Sequence, residues 1–146
     1  MNLDFYRTPV AYSSAGAHAT LFDGLPRNDI AGLVKVVQGL LIHEHMTGAY
    51  GVELPPRRHA EAHVRAVEDI LAAIAASDGH PLSAARPAAR RYACVCRSFA
   101  LLLVALLRHQ GVPARARCGF GRYFEPGKGY DHWVAEYWNA AEKRFS

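Results

Sequence analysis

Tyr92-Ala-Cys94-Val-Cys96-Arg-Ser-Phe99-Ala-Leu-Leu-Leu-Val-Ala-Leu-Leu-Arg108-His-Gln-Gly111 is the stretch on which the reading of the fold turns. From Phe99 to Leu107 the residues are apolar, which predicts a helix buried around most of its circumference, the central helix of a core. Arg108, His109 and Gly111 supply its stop signals: cations in the last turn, then a residue free to take the left-handed cap conformation. Cys96 therefore falls in or just before the first turn. Unpaired backbone N–H groups and the positive end of the helix dipole converge there, an environment suited to a nucleophilic sulfur. An isolated cysteine at a helix start is more often a small packed hydrophobe, so its role turns on the residues C-terminal to the helix.

Gly111-Val-Pro113-Ala-Arg115-Ala-Arg117-Cys118-Gly119-Phe120 predicts a strand with small residues on one face and arginines on the other. After a glycine-rich turn, Tyr130-Asp-His132-Trp-Val-Ala-Glu136-Tyr-Trp138 has the aromatic and apolar content of a second strand. The order is thus cysteine, buried helix, strand, turn, and a strand opening with His132.

In that order the chain resembles the transglutaminase-like superfamily. The similarity rests on Cys96-Arg-x-Phe99-Ala, Leu106-Leu107-Arg108-x-x-Gly111-Val-Pro113-Ala-Arg115, Gly119-Phe-Gly121 and His132-Trp-Val-x-Glu136-Tyr137, and covers about 91–145 at motif level. Residues 4–87 resemble the N-terminal helical part of a bacterial subgroup more weakly. The resemblance implies an α+β fold of the papain or transglutaminase type, with N-terminal helices and a buried helix starting at the cysteine, packed on a small antiparallel sheet. It implies Cys96 as nucleophile and His132 as base, the helix-borne thiol facing a sheet-borne imidazole. It also implies acyl transfer or hydrolysis at an amide of a protein or peptide through a thioester.

Two departures qualify it. The family's third catalytic residue is an Asp or Asn on the strand after the histidine. A hairpin turning through 139–142 pairs Trp138 with about Lys143, which puts the partner of His132 a few residues past Ser146. Asp131 points to the opposite face, and Glu136 is on the same face but roughly 13 Å along the strand. The sequence is therefore expected to be a truncated piece or a degenerate member, with activity impaired. Loss of the orienting acid in a Ser-His-Asp triad costs about 10⁴ in rate. The alternative is a binding or scaffold module that keeps the fold without the chemistry. The second departure is Cys94, where the resemblance implies a small residue.

Residues 1–146 are expected to form one domain: an irregular arm over 1–26, a helical part over 27–90, and the cysteine helix with its strands over 91–146. Content of 51% hydrophobic residues suffices for a core. A helix is predicted from Ile30, capped by Asn28 or Asp29 and fading around 46–48. A second runs from about Arg57 to Ala76, with Ala60, Val64, Val67, Ile70, Leu71 and Ile74 inward and Glu61, Arg65 and Glu68 outward. Cys94 and Cys118 read as packed thiols, and the glycines at 119 and 121 as a bulge.

Three cysteines without a secretory signal point to a reducing, cytoplasmic setting, and no apolar run reaches the ~20 residues of a membrane span. Net charge of +4 is mild, and Arg86, Arg90 and Arg91 read as a solvated run rather than a nucleic-acid site. No cofactor or metal is expected. The pairs His43/His45, which diverge if helical, and His59/His63 lack a third ligand, and three cysteines fall short of a zinc set. Oligomeric state is not readable from the chain.

Overall fold

The computed structural model describes residues 2–146. An arm of short turns comes first: helix α1 (Asp4–Arg7) and two 3₁₀ segments, Ala11–Ser13 and Gly16–Phe22. Helix α2 (Ile30–Leu40) begins where the Asp29 carboxylate accepts the Gly32 N–H at 2.8 Å, the expected N-cap. Strand β1 (Leu41–His43) comes directly after it, then 3₁₀ segments Thr47–Tyr50 and Pro56–His63 and helix α3 (Val67–Asp78). Strand β2 (Tyr92–Cys94) leads into helix α4 (Cys96–His109), and β3 (Ala114–Gly121), β4 (Tyr130–Asn139) and β5 (Arg144–Phe145) complete the order.

The architecture is α+β. β1 and β2 form a two-stranded parallel ladder, while β3, β4 and β5 form an antiparallel sheet in sequence order. Helix α4 is the hub, packing on α2, α3, β3 and β4. Leu102, Val104, Ala105, Leu106 and Leu107 are buried among Leu33, Val37 and Leu40 of α2, Ile70, Leu71 and Ile74 of α3, and Ala114 of β3. The two arginines at its margins tie down neighbouring chain rather than solvent. Arg108 donates to the carbonyls of Ala114 and Thr8 and to Ser13 Oγ, and Arg97 reaches the Ala62 carbonyl. Among the described residues no helix is long and apolar enough to cross a membrane.

Several local expectations are corrected. The first helix stops at Leu40, and Leu41–His43 is a buried strand pairing Leu41 with Tyr92 and His43 with Cys94. A short unbroken apolar run suits a buried parallel strand as well as a helix, so periodicity does not separate them. The second helix starts only at Val67, because Pro55 and Pro56 open a 3₁₀ segment instead. In a three-residue turn side chains at i and i+3 eclipse. Arg58 and Glu61 accordingly share one side, Glu61 turns inward, Ala62 is buried and Ala60 is exposed. Register runs unbroken from Ala114 opposite Tyr137 to Gly121 opposite Tyr130, so no bulge interrupts β3, and Cys118 is exposed rather than packed. Trp138 pairs with Phe145, not Lys143, because Asn139 Oδ1 accepts from the Ala141 and Glu142 N–H groups and widens the turn.

Arg86 is the largest departure from the expected solvated run. It is 4% exposed, bonded in bidentate fashion to Asp78 at 3.0 and 3.1 Å and donating to the carbonyls of His80, Pro81 and Ala84. The Arg86 guanidinium first, then the His80 N–H, holds the Asp78 carboxyl below its ordinary value. A depressed carboxylate stabilises the fold above its unfolded value of about 4, and that contribution is lost as pH falls through the folded value. Asp78→Asn is therefore expected to melt below the parent protein at neutral pH and to converge with it in strong acid. Melting curves that stay parallel across pH would contradict the ion pair's role.

Candidate active site

Cys96 is the first residue of α4 and half-buried, directly after the buried strand β2. Val95 enters the helix with extended backbone and makes no side-chain cap, so no side chain of its own competes for the first-turn N–H groups. Cys94, two residues earlier, is fully buried, and burial pushes its thiol up, which keeps it protonated and inert. The three thiols are therefore distinguished by position: Cys94 buried, Cys118 exposed on β3, Cys96 at the mouth of the central helix.

Residue Cys96 is braced from the preceding strand. Glu61 accepts two hydrogen bonds from Arg58, at 2.9 and 3.0 Å, and the Ala93 N–H at 2.8 Å, while its own carbonyl accepts the Tyr92 hydroxyl. Arg58 also bonds the Ala89 and Arg91 carbonyls. The 3₁₀ segment thus clamps both the approach to β2 and β2 itself. Burial first, then the nearby Glu61 carboxylate, raises the Tyr92 hydroxyl to about 12, so it serves as a fixed donor. A cleft of about 410 Å³ on this side, lined by Arg58, Glu61, Asp78, Arg86 and Tyr92 among others, includes neither Cys96 nor His132.

His132 lies on β4 opposite Gly119 and is half-buried. Strand β3 runs back along α4 from Ala114, and the five steps to Gly119 cover roughly 17 Å. The 14 residues of α4 span about 21 Å, so His132 is level with the opening turns of that helix. By strict alternation its side chain shares a face with Val134 and Glu136, opposite the face through which Ala135 and Tyr137 pack on the core, so the register matches its level to Cys96 without itself turning it toward the thiol. Rings of Phe124 and Tyr123 stand edge-on to it at 5.1 and 6.1 Å. Glu136 is committed elsewhere, to Arg115 at 2.6 Å and Arg117 at 3.0 Å. Burial acts to raise the Glu136 carboxyl, but the two arginines outweigh it and hold it low.

His43 joins the two neighbourhoods, and sequence periodicity, which places it on a fading helix, misses it. It ends β1 in register with Cys94, and its ring stacks on Phe99, one turn beyond Cys96, at 6.5 Å and 19°. Its environment holds its basicity down: burial first, then His45, with His132 also contributing, against the opposing pull of Glu44. His43 and His45 do not diverge as a helix would have them; their rings are 5.7 Å apart. Glu44 receives His59 Nδ1 at 3.0 Å and lies 3.6 Å from His45 Nε2, so residues expected on two separate helices share one carboxylate. The signal that could have found this group is the run Leu40-Leu41-Ile42 ending in histidine, a buried strand delivering a polar side chain at its end.

A helix opening on a half-accessible thiol, with imidazoles at its level on adjoining strands, has the components for thiol chemistry at a carbonyl. Comparison among curated proteins and among solved structures found no match in either set. A family model does match. The description "Transglutaminase-like superfamily" fits residues 50–144, which take in the Glu61 clamp, β2, α4 and the β3–β4 hairpin. With that span covering well over half of its length, the chain belongs to the transglutaminase-like superfamily.

Proposed function

We propose that this protein is a cysteine-nucleophile enzyme acting on amide bonds of a protein or peptide, by acyl transfer or hydrolysis through a thioester. The observation that carries the reading is the position of Cys96 as the first residue of the buried helix, in a chain of this superfamily. In the proposed reaction His132 takes the proton of the Cys96 thiol and the sulfur attacks the carbonyl carbon. The electron pair moves to oxygen, which the N–H groups of the first turn of α4 stabilise. Collapse expels the amine, which leaves with the proton from the imidazolium. Water then completes hydrolysis, or a second amine completes transfer. Among the described residues no carboxylate bonds the His132 ring, and Glu136 on its strand face is held by Arg115 and Arg117.

The test is an activated ester. Incubation with p-nitrophenyl acetate followed by peptide mass analysis is expected to find the acetyl group on Cys96, with Cys94 unmodified. Acetyl on the exposed Cys118 alone, or on no cysteine, would contradict the reading. That result would favour a binding module, for which the exposed aromatics Phe120, Tyr123, Phe124 and Tyr130 at the hairpin end provide an apolar surface.

A further inference from the structure

We propose that His43 is a further catalytic residue of the Cys96 site, acting as a neutral imidazole whose Nε2–H donates to the oxygen that becomes negative during acyl transfer. The inference deepens the proposed function and rests on it.

The tautomer is fixed by a hydrogen bond. The backbone N–H of His45 donates to His43 Nδ1 at 3.3 Å, so Nδ1 carries the lone pair and the ring proton of the neutral form is on Nε2. A second contact fixes the ring's plane, since it stacks on Phe99 at 19°. The backbone position is equally constrained, because His43 is the last rung of the β1–β2 ladder, opposite Cys94. The group is therefore held at the end of the strand next to the one that delivers the nucleophile, over a side chain one helical turn past it.

The surroundings choose a donor over a base. Burial, His45 and His132 all disfavour the imidazolium and outweigh Glu44, whose carboxylate is shared with His59 and His45. A neutral imidazole with Nδ1 engaged keeps one free function, the Nε2–H. Such a donor costs little reorganisation during reaction, because its partner contacts already hold it. With p-nitrophenyl acetate the step is simple. The Cys96 thiol gives its proton to His132 as its sulfur bonds to the carbonyl carbon, and the π pair moves to oxygen and is met by the His43 Nε2–H. That pair then re-forms the carbonyl as the ester C–O bond breaks and p-nitrophenolate departs, leaving the thioester.

Two reagents separate this role from that of a base. Alkylation by iodoacetamide needs a reactive sulfur but develops no oxyanion, whereas acylation by p-nitrophenyl acetate needs both. His43→Phe keeps the ring over Phe99 and removes the donor. It is expected to slow acylation of Cys96 by about 10²-fold while alkylation of Cys96 shifts by no more than about twofold. His43→Gln, which restores a side-chain N–H, should recover part of the acylation rate. His132→Ala should slow both reactions. Acylation unchanged in His43→Phe would overturn the assignment of His43 while leaving the Cys96 reading intact. An equal loss of alkylation and acylation in His43→Phe would also overturn it, placing His43 behind the base instead. Retained burial of Cys94 against the same alkylating reagent confirms that each variant is folded.

Discussion

Leu102→Ala is expected to lower the free energy of unfolding by about 2–5 kcal/mol, the range for emptying a buried leucine site. Leu102 has no exposed surface and sits midway along α4, where helices α2 and α3 and the β3–β4 sheet all converge. Few alternatives exist for filling the space, because its neighbours belong to separate elements held by their own ladders and caps. For a chain of this size the loss corresponds to a fall in melting temperature of about 5–15 °C. Urea denaturation measures it, with Lys35→Ala on the exposed side of α2 as a surface control expected to move by less than about 0.5 kcal/mol. Loss of under about 1 kcal/mol at Leu102 would mean that the core is not organised on α4. The consequence reaches the site, since the same helix carries Cys96 at its first residue.

The central helix and the two strands after it are legible in the chain because each is announced by more than one local signal. Phe99 to Leu107 is uniformly apolar, Gly111 takes φ +77 just after the helix, and Ala114, Ala116 and Ala135 alternate toward the core as expected. Strand β1 is not legible in this way. Its three residues are a continuation of an apolar helical run, and only Tyr92–Cys94, some fifty residues away, makes a strand of them. Arg86 and Glu61 fail for a related reason. A charged side chain is placed outside by default, and what draws these two inward is, for Arg86, Asp78 with the carbonyls of the turn between them and, for Glu61, a backbone N–H on β2. The same holds for His43. Its ring stacks on Phe99, which is not near it in the chain, so packing points to it, whereas Cys96 and His132 enter the candidate site from motif order.

The second large effect concerns His132. Cys96 and His132 are 36 positions apart and meet, in the proposed function, as thiol and base; the register puts His132 at the level of the first turns of α4, on the strand face opposite Ala135 and Tyr137, and the His43 ring stacks on Phe99, one turn past Cys96. General base assistance contributes about 10²- to 10⁴-fold, so His132→Ala is expected to reduce acylation of Cys96 by that factor. Stability should change little, because the ring is half-exposed and stands outside the main core cluster. Glu136→Gln, which loosens Arg115 and Arg117 on the same strand face, should leave the thiol's reactivity near that of the parent protein, since those arginines bond the carboxylate and not the imidazole. The most direct measurement is the rate at which iodoacetamide alkylates Cys96, tracked by peptide mass in the parent protein and in His132→Ala. A fall at Cys96 of about 10²-fold or more, with the slow labelling of Cys94 and the labelling of Cys118 unchanged, is the expected result. Equal rates at Cys96 in the two proteins would contradict a working pair between this thiol and this imidazole.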